Sequence, residues 1–229
     1  MSAPLVLITG ATRGIGFAAA KQLASRGASV IIASRDLPRA EKAAKQVGGS
    51  AEAIQLDITD DSSVRKAAEL IRQRHGRLDV LANNSAVLLD NSESITSLKP
   101  ETLRDTLETN VVGTLRVCQA MLPLLKKASQ PRIVNVSSGA GQLDGEPQSW
   151  APAYSISKTA LNMLTQQLTA AFPDVMVNSM CPGWCRTDMG GPGAPLSAEE
   201  GADTLVWLAL EAPHSLRGSF VKQRQVIPW

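Results

Sequence analysis

The chain contains a single tyrosine, Tyr154, and a lysine, Lys158, stands four residues after it. On a helix this spacing stacks the two side chains on one face, one turn apart. A phenol titrates near pH ~10, too high for easy proton exchange at neutral pH. A neighbouring ammonium stabilises the phenolate and lowers that value. Such a pair is suited to give a proton to a carbonyl oxygen or to take one from an alcohol. Upstream, Ser137 and Ser138 end the apolar run 133–136. A hydroxyl there can donate to a developing oxyanion. Taken singly, a tyrosine followed by a lysine is common chance, and serine is a common loop residue.

A second constellation is Thr9-Gly10-Ala11-Thr12-Arg13-Gly14-Ile15-Gly16, directly after the first apolar run. Glycine is needed where backbone turns tightly or approaches a phosphate. A helix N-terminus that follows offers unpaired N–H groups and partial positive charge to a pyrophosphate. The spacing Gly-x-x-x-Gly-x-Gly has a longer first gap than the common dinucleotide fingerprint, and its strand–turn–helix setting points to a dinucleotide. The end of the second run, Ala33-Ser34-Arg35-Asp36, reports which one. Arg35, with Arg13 from the glycine turn, favours the 2′-phosphate of NADP(H) over the free 2′-OH of NAD(H). Asp36 pulls the other way, because it can neutralise Arg35. Both arginines also fit plain solvated surface positions.

The elements that must position these residues follow from hydrophobic period. Short runs apolar on both faces occur at 5–8, 30–33, 53–56, 80–82, 133–136 and 175–180, as expected of buried parallel strands. Between them, helical spacing covers 15–26, 39–47, 63–74, 101–127 and 153–172, with Pro123 expected to bend or end the fourth. Alternation throughout predicts a doubly wound parallel α/β sheet in one domain, residues 1–229. The stretch 190–195, rich in Gly and Pro, is too short for a linker and reads as a mobile surface loop.

Composition narrows the function. The 229 residues carry 23 Lys plus Arg against 21 Asp plus Glu, a net charge of +2 that supplies no basic field for nucleic acid. No apolar run approaches the roughly 20 residues of a membrane span. The start, Met1-Ser2-Ala3-Pro4, has neither a basic region nor a cleavage site, so a cytoplasmic protein without a signal peptide is expected. Cys118, Cys181 and Cys185 imply no disulfide framework. His75 and His214 stand far from any cysteine pair, so no metal site is expected.

Together these residues resemble the short-chain dehydrogenase/reductase family, from about Leu5 to the C-terminus. The motifs occur in the family's order: Thr9-Gly10-x-x-x-Gly14-x-Gly16, Asp57, Asp79 to Asn84, Asn110, Ser138, Tyr154-x-x-x-Lys158 and Pro182-Gly183. Within the family the chain looks most like the carbonyl reductases. That likeness rests on 181–189, on Glu199-Glu200-Gly201-Ala202-Asp203-Thr204 and on the ending 218–229. The resemblance implies a Rossmann-type fold and a set of roles. Ser138 would polarise the carbonyl, and Tyr154 would be the general acid. Lys158 would lower the phenol pKa and hold the nicotinamide ribose. Asn110 would interrupt its long helix and support a water relay to Lys158. Asp57 and Ile58 would flank the adenine, and Asn83 and Asn84 would brace the sheet beside the adenosine. Pro182, Gly183, Cys185 and Thr187 would line the nicotinamide end.

Two departures stand out. Ser85-Ala86 replaces the family's usual Ala-Gly after the asparagine pair, and the added Cβ at residue 86 bears on cofactor affinity. Only 139–153 separates Ser138 from Tyr154, without the long insertion of the family's monomeric mammalian carbonyl reductases. Its absence implies, by analogy, a helix-paired homodimer or homotetramer.

Trp184, after the Pro-Gly turn, is expected to wall an apolar pocket. Trp150 fits a pocket wall or a buried structural position equally. A substrate loop at about 184–200 contains a candidate lid, 187–196. The expected reaction is NADPH-dependent reduction of an apolar aldehyde, ketone or quinone, a small-molecule carbonyl substrate. Rivals are an NADP(H)-binding sensor or scaffold without turnover, an alcohol dehydrogenase running oxidatively, and a reductase of acyl-carrier-bound ketones. The last would need a basic patch at the site mouth, for which Arg186 and Lys222 are candidates.

Overall fold

Strands of this chain are apolar on both faces because each face has its own layer of helices. The computed structural model describes residues 3–91, 93–146 and 148–229. Met1 and Ser2, on which part of the N-terminal reading rests, lie outside the described residues. In chain order the elements are β1 (Leu5–Thr9), α1 (Gly14–Ser25), β2 (Ser29–Ser34), α2 (Leu37–Val47), β3 (Glu52–Gln55), α3 (Asp61–His75) and β4 (Val80–Asn83). There follow α4 (Pro100–Leu107), α5 (Thr114–Leu125), β5 (Arg132–Val136), α6 (Pro152–Ala171), β6 (Met176–Cys181), α7 (Ala198–Leu210), β7 (Phe220–Lys222) and β8 (Gln225–Ile227).

The sheet order is β3-β2-β1-β4-β5-β6-β7-β8, a single sheet with one domain built around it. All pairings are parallel except β7 with β8. Alternate residues of each strand enter separate cores. Val6, Ile8, Val30 and Ile32 pack under α1, α2 and α7. Leu5, Leu7, Ile31, Leu81 and Ile133 pack under α3 and α5. Strand β1 pairs with β2 on one side and β4 on the other, so the winding reverses there. Ligands of such sheets sit in the crevice at the carboxyl ends beside that reversal.

All six expected strands form, with ends shifted by a residue or two. The long helix expected over 101–127 is split. A π-helical turn, Glu108–Gly113, separates α4 from α5. The widened turn carries Asn110 and marks a functional distortion more often than a random one. Pro123 is exposed in the last turn of α5, and the helix, lacking the N–H of that residue, ends two residues later at Leu125. Helix α7 and the β7–β8 hairpin were not anticipated as elements, and the antiparallel edge departs from an all-parallel sheet. Strands of three residues leave almost no period to read. Their turn uses Gln223 and Arg224 at φ +50° and +61° in place of the usual Asn-Gly.

The short 3₁₀ turn Gly139–Gly141 after β5 lies against α6. A Cβ on Gly141 would come within 2.5 Å of the Lys158 carbonyl carbon. Gly141→Ala must therefore push the turn off the helix. A loss of about 1–3 kcal/mol in urea-unfolding stability is expected. A wild-type midpoint would mean that the two elements separate without cost.

Candidate active site

The crevice is a cleft of about 1540 Å³ along the carboxyl ends of the central strands. Its first wall is the glycine turn. Gly10 and Gly14 have φ of +65° and +56°, a conformation that side chains with a Cβ avoid. The N-cap of α1 is Arg13, whose side chain makes no cap hydrogen bond, so the helix presents uncapped amides to the cleft. Thr12 and Ile15 line the same wall. Gly16 works behind it: a Cβ there would meet Asn84 Nδ2 at 2.5 Å. Asn84 Nδ2 donates to the Thr9 and Gly10 carbonyls at 3.0 and 3.1 Å and so fixes the turn.

Asn83 does not reach the cleft. It is 4% exposed and donates to Asn135 Oδ1 at 2.8 Å inside the sheet, so its part is that of a brace. Ala86 does line the cleft, yet its φ is not positive, so glycine is not required there for conformation. Its methyl instead occupies cleft space.

At the end of the cleft expected to take the adenosine, Arg35, Arg39, Asp57 and Ile58 line the wall. Asp36 lines it too, with its carboxylate engaged by α2. It accepts the Arg39 amide as N-cap of α2 and pairs with the Arg39 guanidinium at 3.1 Å. Arg35 has no ion-pair partner among the described residues. Sequence reading missed Arg39, whose signal was its place three residues after an N-cap aspartate. Arg13 lines the cleft as well and pairs with Asp188 across its mouth. Asp57 Oδ1 accepts the Thr59 amide at 2.9 Å, which holds the turn below the cleft.

Ser138, Tyr154 and Lys158 meet at the far end. Ser138 follows β5 and accepts the Ala140 amide at 3.1 Å, which aims the residue from its 3₁₀ turn. Lys158 is 2% exposed and donates from Nζ to the Val136 carbonyl at 2.8 Å, 5.4 Å from the Tyr154 ring centre. Asn110 sits behind them. Its amide donates to Ser157 Oγ at 2.9 Å and to the Val87 carbonyl, and its oxygen accepts the Val87 amide. Among the described residues no hydrogen bond joins Asn110 to Lys158, so the observed contact is a tether to α6. Trp150 packs edge-on against Tyr154, with ring centres 6.0 Å apart, and is half exposed in the cleft wall.

The other wall is the segment after β6. Gly183 has φ +79°, and a Cβ on it would strike Leu196. Pro182 and Cys185 line the cleft, and the Cys185 thiol donates to the Pro182 carbonyl at 3.3 Å. Thr187 meets the glycine turn: its Cγ2 lies 3.3 Å from where a Gly14 Cβ would be. The loop expected at 184–200 enters α7 at Ala198 and is closed on itself before that. Arg186 and Leu196 are joined amide to carbonyl at 2.8 Å, and the Trp184 indole donates to the Gly190 carbonyl at 2.8 Å. Cys181 also faces the cleft, accepting the Gly139 amide at 3.1 Å. It was not anticipated as a site residue, although it directly precedes the Pro-Gly turn.

Electrostatics here correct one expectation. Burial pushes the Tyr154 phenol up to about 12, while the Ser138 hydroxyl pulls the other way. The lowering expected from Lys158 is not realised, because burial of the phenol dominates; Lys158 is itself desolvated and brought down to about 8.

Residues 4–195 match the family model described as short chain dehydrogenase. The chain is a short-chain dehydrogenase/reductase. It is an NAD(P)-dependent oxidoreductase, carbonyl reductase-like in sequence. It is 37% identical to the short-chain dehydrogenase anuI of Penicillium roqueforti, over 98% of this chain and 96% of that one. It is 35% identical to carbonyl reductase [NADPH] 1 of Sus scrofa, over 98% and 94%. Among solved structures, carbonyl reductase Sniffer of D. melanogaster superposes with TM-score 0.90 at 29% identity, covering 100% of both chains. The NADPH-bound carbonyl reductase from chicken fatty liver gives 0.90 at 26%, again over 100% of both. A nicotinamide dinucleotide fits this dehydrogenase on its own geometry, since Gly10 and Gly14 line the cleft at positive φ without a side chain and the α1 amides are uncapped.

The two shifted groups set a pH dependence. Lys158 loses its charge as pH rises through about 8, whereas Tyr154 keeps its proton to about 12. In the reductive direction kcat/KM is expected to hold steady below pH 8 and to fall with a one-proton slope above it. A profile flat to pH 10 would show that the Lys158 charge is not needed.

Proposed function

We propose that this dehydrogenase reduces apolar aldehydes, ketones or quinones to alcohols with NADPH, and that Tyr154 is the general acid. The observation that carries this reading is a phenol held protonated by burial, beside the Ser138 hydroxyl, on the floor of the dinucleotide cleft. Ser138 orients the carbonyl oxygen and Tyr154 delivers the proton to it. Lys158 keeps a positive charge behind the phenol as negative charge develops. The nicotinamide, when bound, supplies the hydride. Trp150 and Trp184 offer the apolar walls, both partly exposed to the cleft.

Preference for NADPH over NADH is supported by Asp36. Its carboxylate is occupied by the α2 N-terminus and Arg39, which leaves Arg35 for a 2′-phosphate with Arg39 nearby. For the acyl-carrier alternative, Arg186 is engaged with the Ala194 and Pro195 carbonyls of its own loop, while Lys222 is exposed and lines the cleft. Pairing of two chains through helices is supported by Ile156 and Met163, exposed seven residues apart on α6. Among the described residues, no helix is long and apolar enough to cross a membrane.

Turnover at 340 nm, with NADPH and NADH in parallel and a panel of apolar carbonyl compounds, tests the reading. Tyr154→Phe is expected to lose ~10²–10⁴-fold in kcat. A loss under tenfold would mean another proton donor. Arg35→Asp is expected to raise KM for NADPH much more than for NADH. Equal effects on both would remove Arg35 from the 2′-phosphate site.

A further inference from the structure

Asp90 lies in the loop after β4 and belongs to none of the motifs above. It is 1% exposed. Its Oδ2 accepts the Ala153 amide at 2.5 Å, from 63 residues away in sequence. Its Oδ1 is buried without a hydrogen-bond partner among the described residues. A buried carboxylate oxygen left unpaired is costly and calls for a reason beyond packing.

The reason lies in α6. Helices are normally capped by a Ser, Thr, Asp or Asn at their own N-cap. Here that position is Ala151, which has no capping side chain and a left-handed backbone, φ +45°. Pro152 has no N–H. Ala153 therefore offers the first free amide of the helix, and Tyr154 follows it directly. The Asp90 carboxylate supplies the missing acceptor and complements the positive end of the helix. The same loop is held at Val87 by Asn110, which takes both its amide and its carbonyl. Val87 and Asn91 line the cleft. Asn110 and Asp90 thus tie one cleft-lining segment to the π turn and to the start of the catalytic helix.

We propose that Asp90 is a positioning residue for Tyr154, acting through the first turn of α6. Tyr154 is the third residue of that helix, within the turn that frays when uncapped. A frayed start lets the phenol leave the carbonyl oxygen, and a misplacement of 1 Å costs up to ~10²-fold in rate. The inference rests on Tyr154 being the acid, so its test includes a readout that needs no turnover.

The experiment compares wild type, Asp90→Ala and Asp90→Asn by NADPH-dependent turnover and by hydrogen exchange of the peptide 150–158. Asp90→Ala is expected to lose about tenfold or more in kcat with KM for NADPH within about twofold. Its 150–158 amides are expected to exchange faster. Asp90→Asn, which keeps an acceptor, is expected to restore both. Wild-type exchange and kcat in Asp90→Ala would overturn the proposal, as would equal losses in both variants. If Asp90→Ala does not fold, Asp90→Ser replaces it, with an intermediate kcat expected and a wild-type kcat overturning. Absence of turnover in the wild type would sink the reductase reading alone, and the exchange comparison would still decide on Asp90.

Discussion

A lysine ammonium enclosed at 2% exposure is the constraint around which the catalytic end is arranged. Removed from water, Lys158 gains only the Val136 carbonyl as a hydrogen-bond acceptor among the described residues. Desolvation dominates and brings its pKa down to about 8. Such a group is tolerable only if backbone is held close to it. Ser137 Oγ donates to the Lys158 carbonyl at 3.3 Å, and glycine at 141 lets the 3₁₀ turn lie directly on α6. The end of β5, the turn carrying Ser138 and the helix carrying Tyr154 are thereby brought to one place by the requirements of one cation.

Below that floor runs a buried polar file. Asn83 donates to Asn135, Asn135 to Thr165, and the Thr165 and Ser179 hydroxyls share a hydrogen bond, each at 2.8 Å. Asn83, Asn135 and Ser179 are register partners on β4, β5 and β6. Polar side chains in a low-dielectric interior fix register more sharply than apolar ones, because a slip leaves them unpaired. The three strands that end beneath the site are thus locked side by side, whereas β1 and β2 rely on apolar packing in the two cores.

What was legible in the sequence was what is local. Tyr154 and Lys158 lie one helical turn apart, the glycine turn is contiguous, and the strands announce themselves by apolar runs. The parallel sheet followed from these, and the meeting of Ser138 with Tyr154 from the family resemblance. What was not legible depends on where a side chain turns. Whether Asp36 neutralises Arg35 was not legible, because the helix that occupies its carboxylate starts at Leu37, two residues before the expected start. Asn83 and Asn84 are neighbours in sequence, yet strand alternation sends one into the sheet and the other to the glycine turn. The phenol pKa followed burial, which spacing alone does not report. The link from Asp90 to Ala153 spans 63 residues and carries no spacing signal.

Thr187 rests on the glycine turn at Gly14, and Arg13 of that turn grips Asp188 of the same loop. A dinucleotide lying along the turn would meet this loop as well. The same loop carries Trp184, which lines the cleft and is the proposed wall of the carbonyl pocket. One piece of chain therefore borders both the glycine turn and the proposed substrate pocket, so a substitution in it bears on the binding of both reactants.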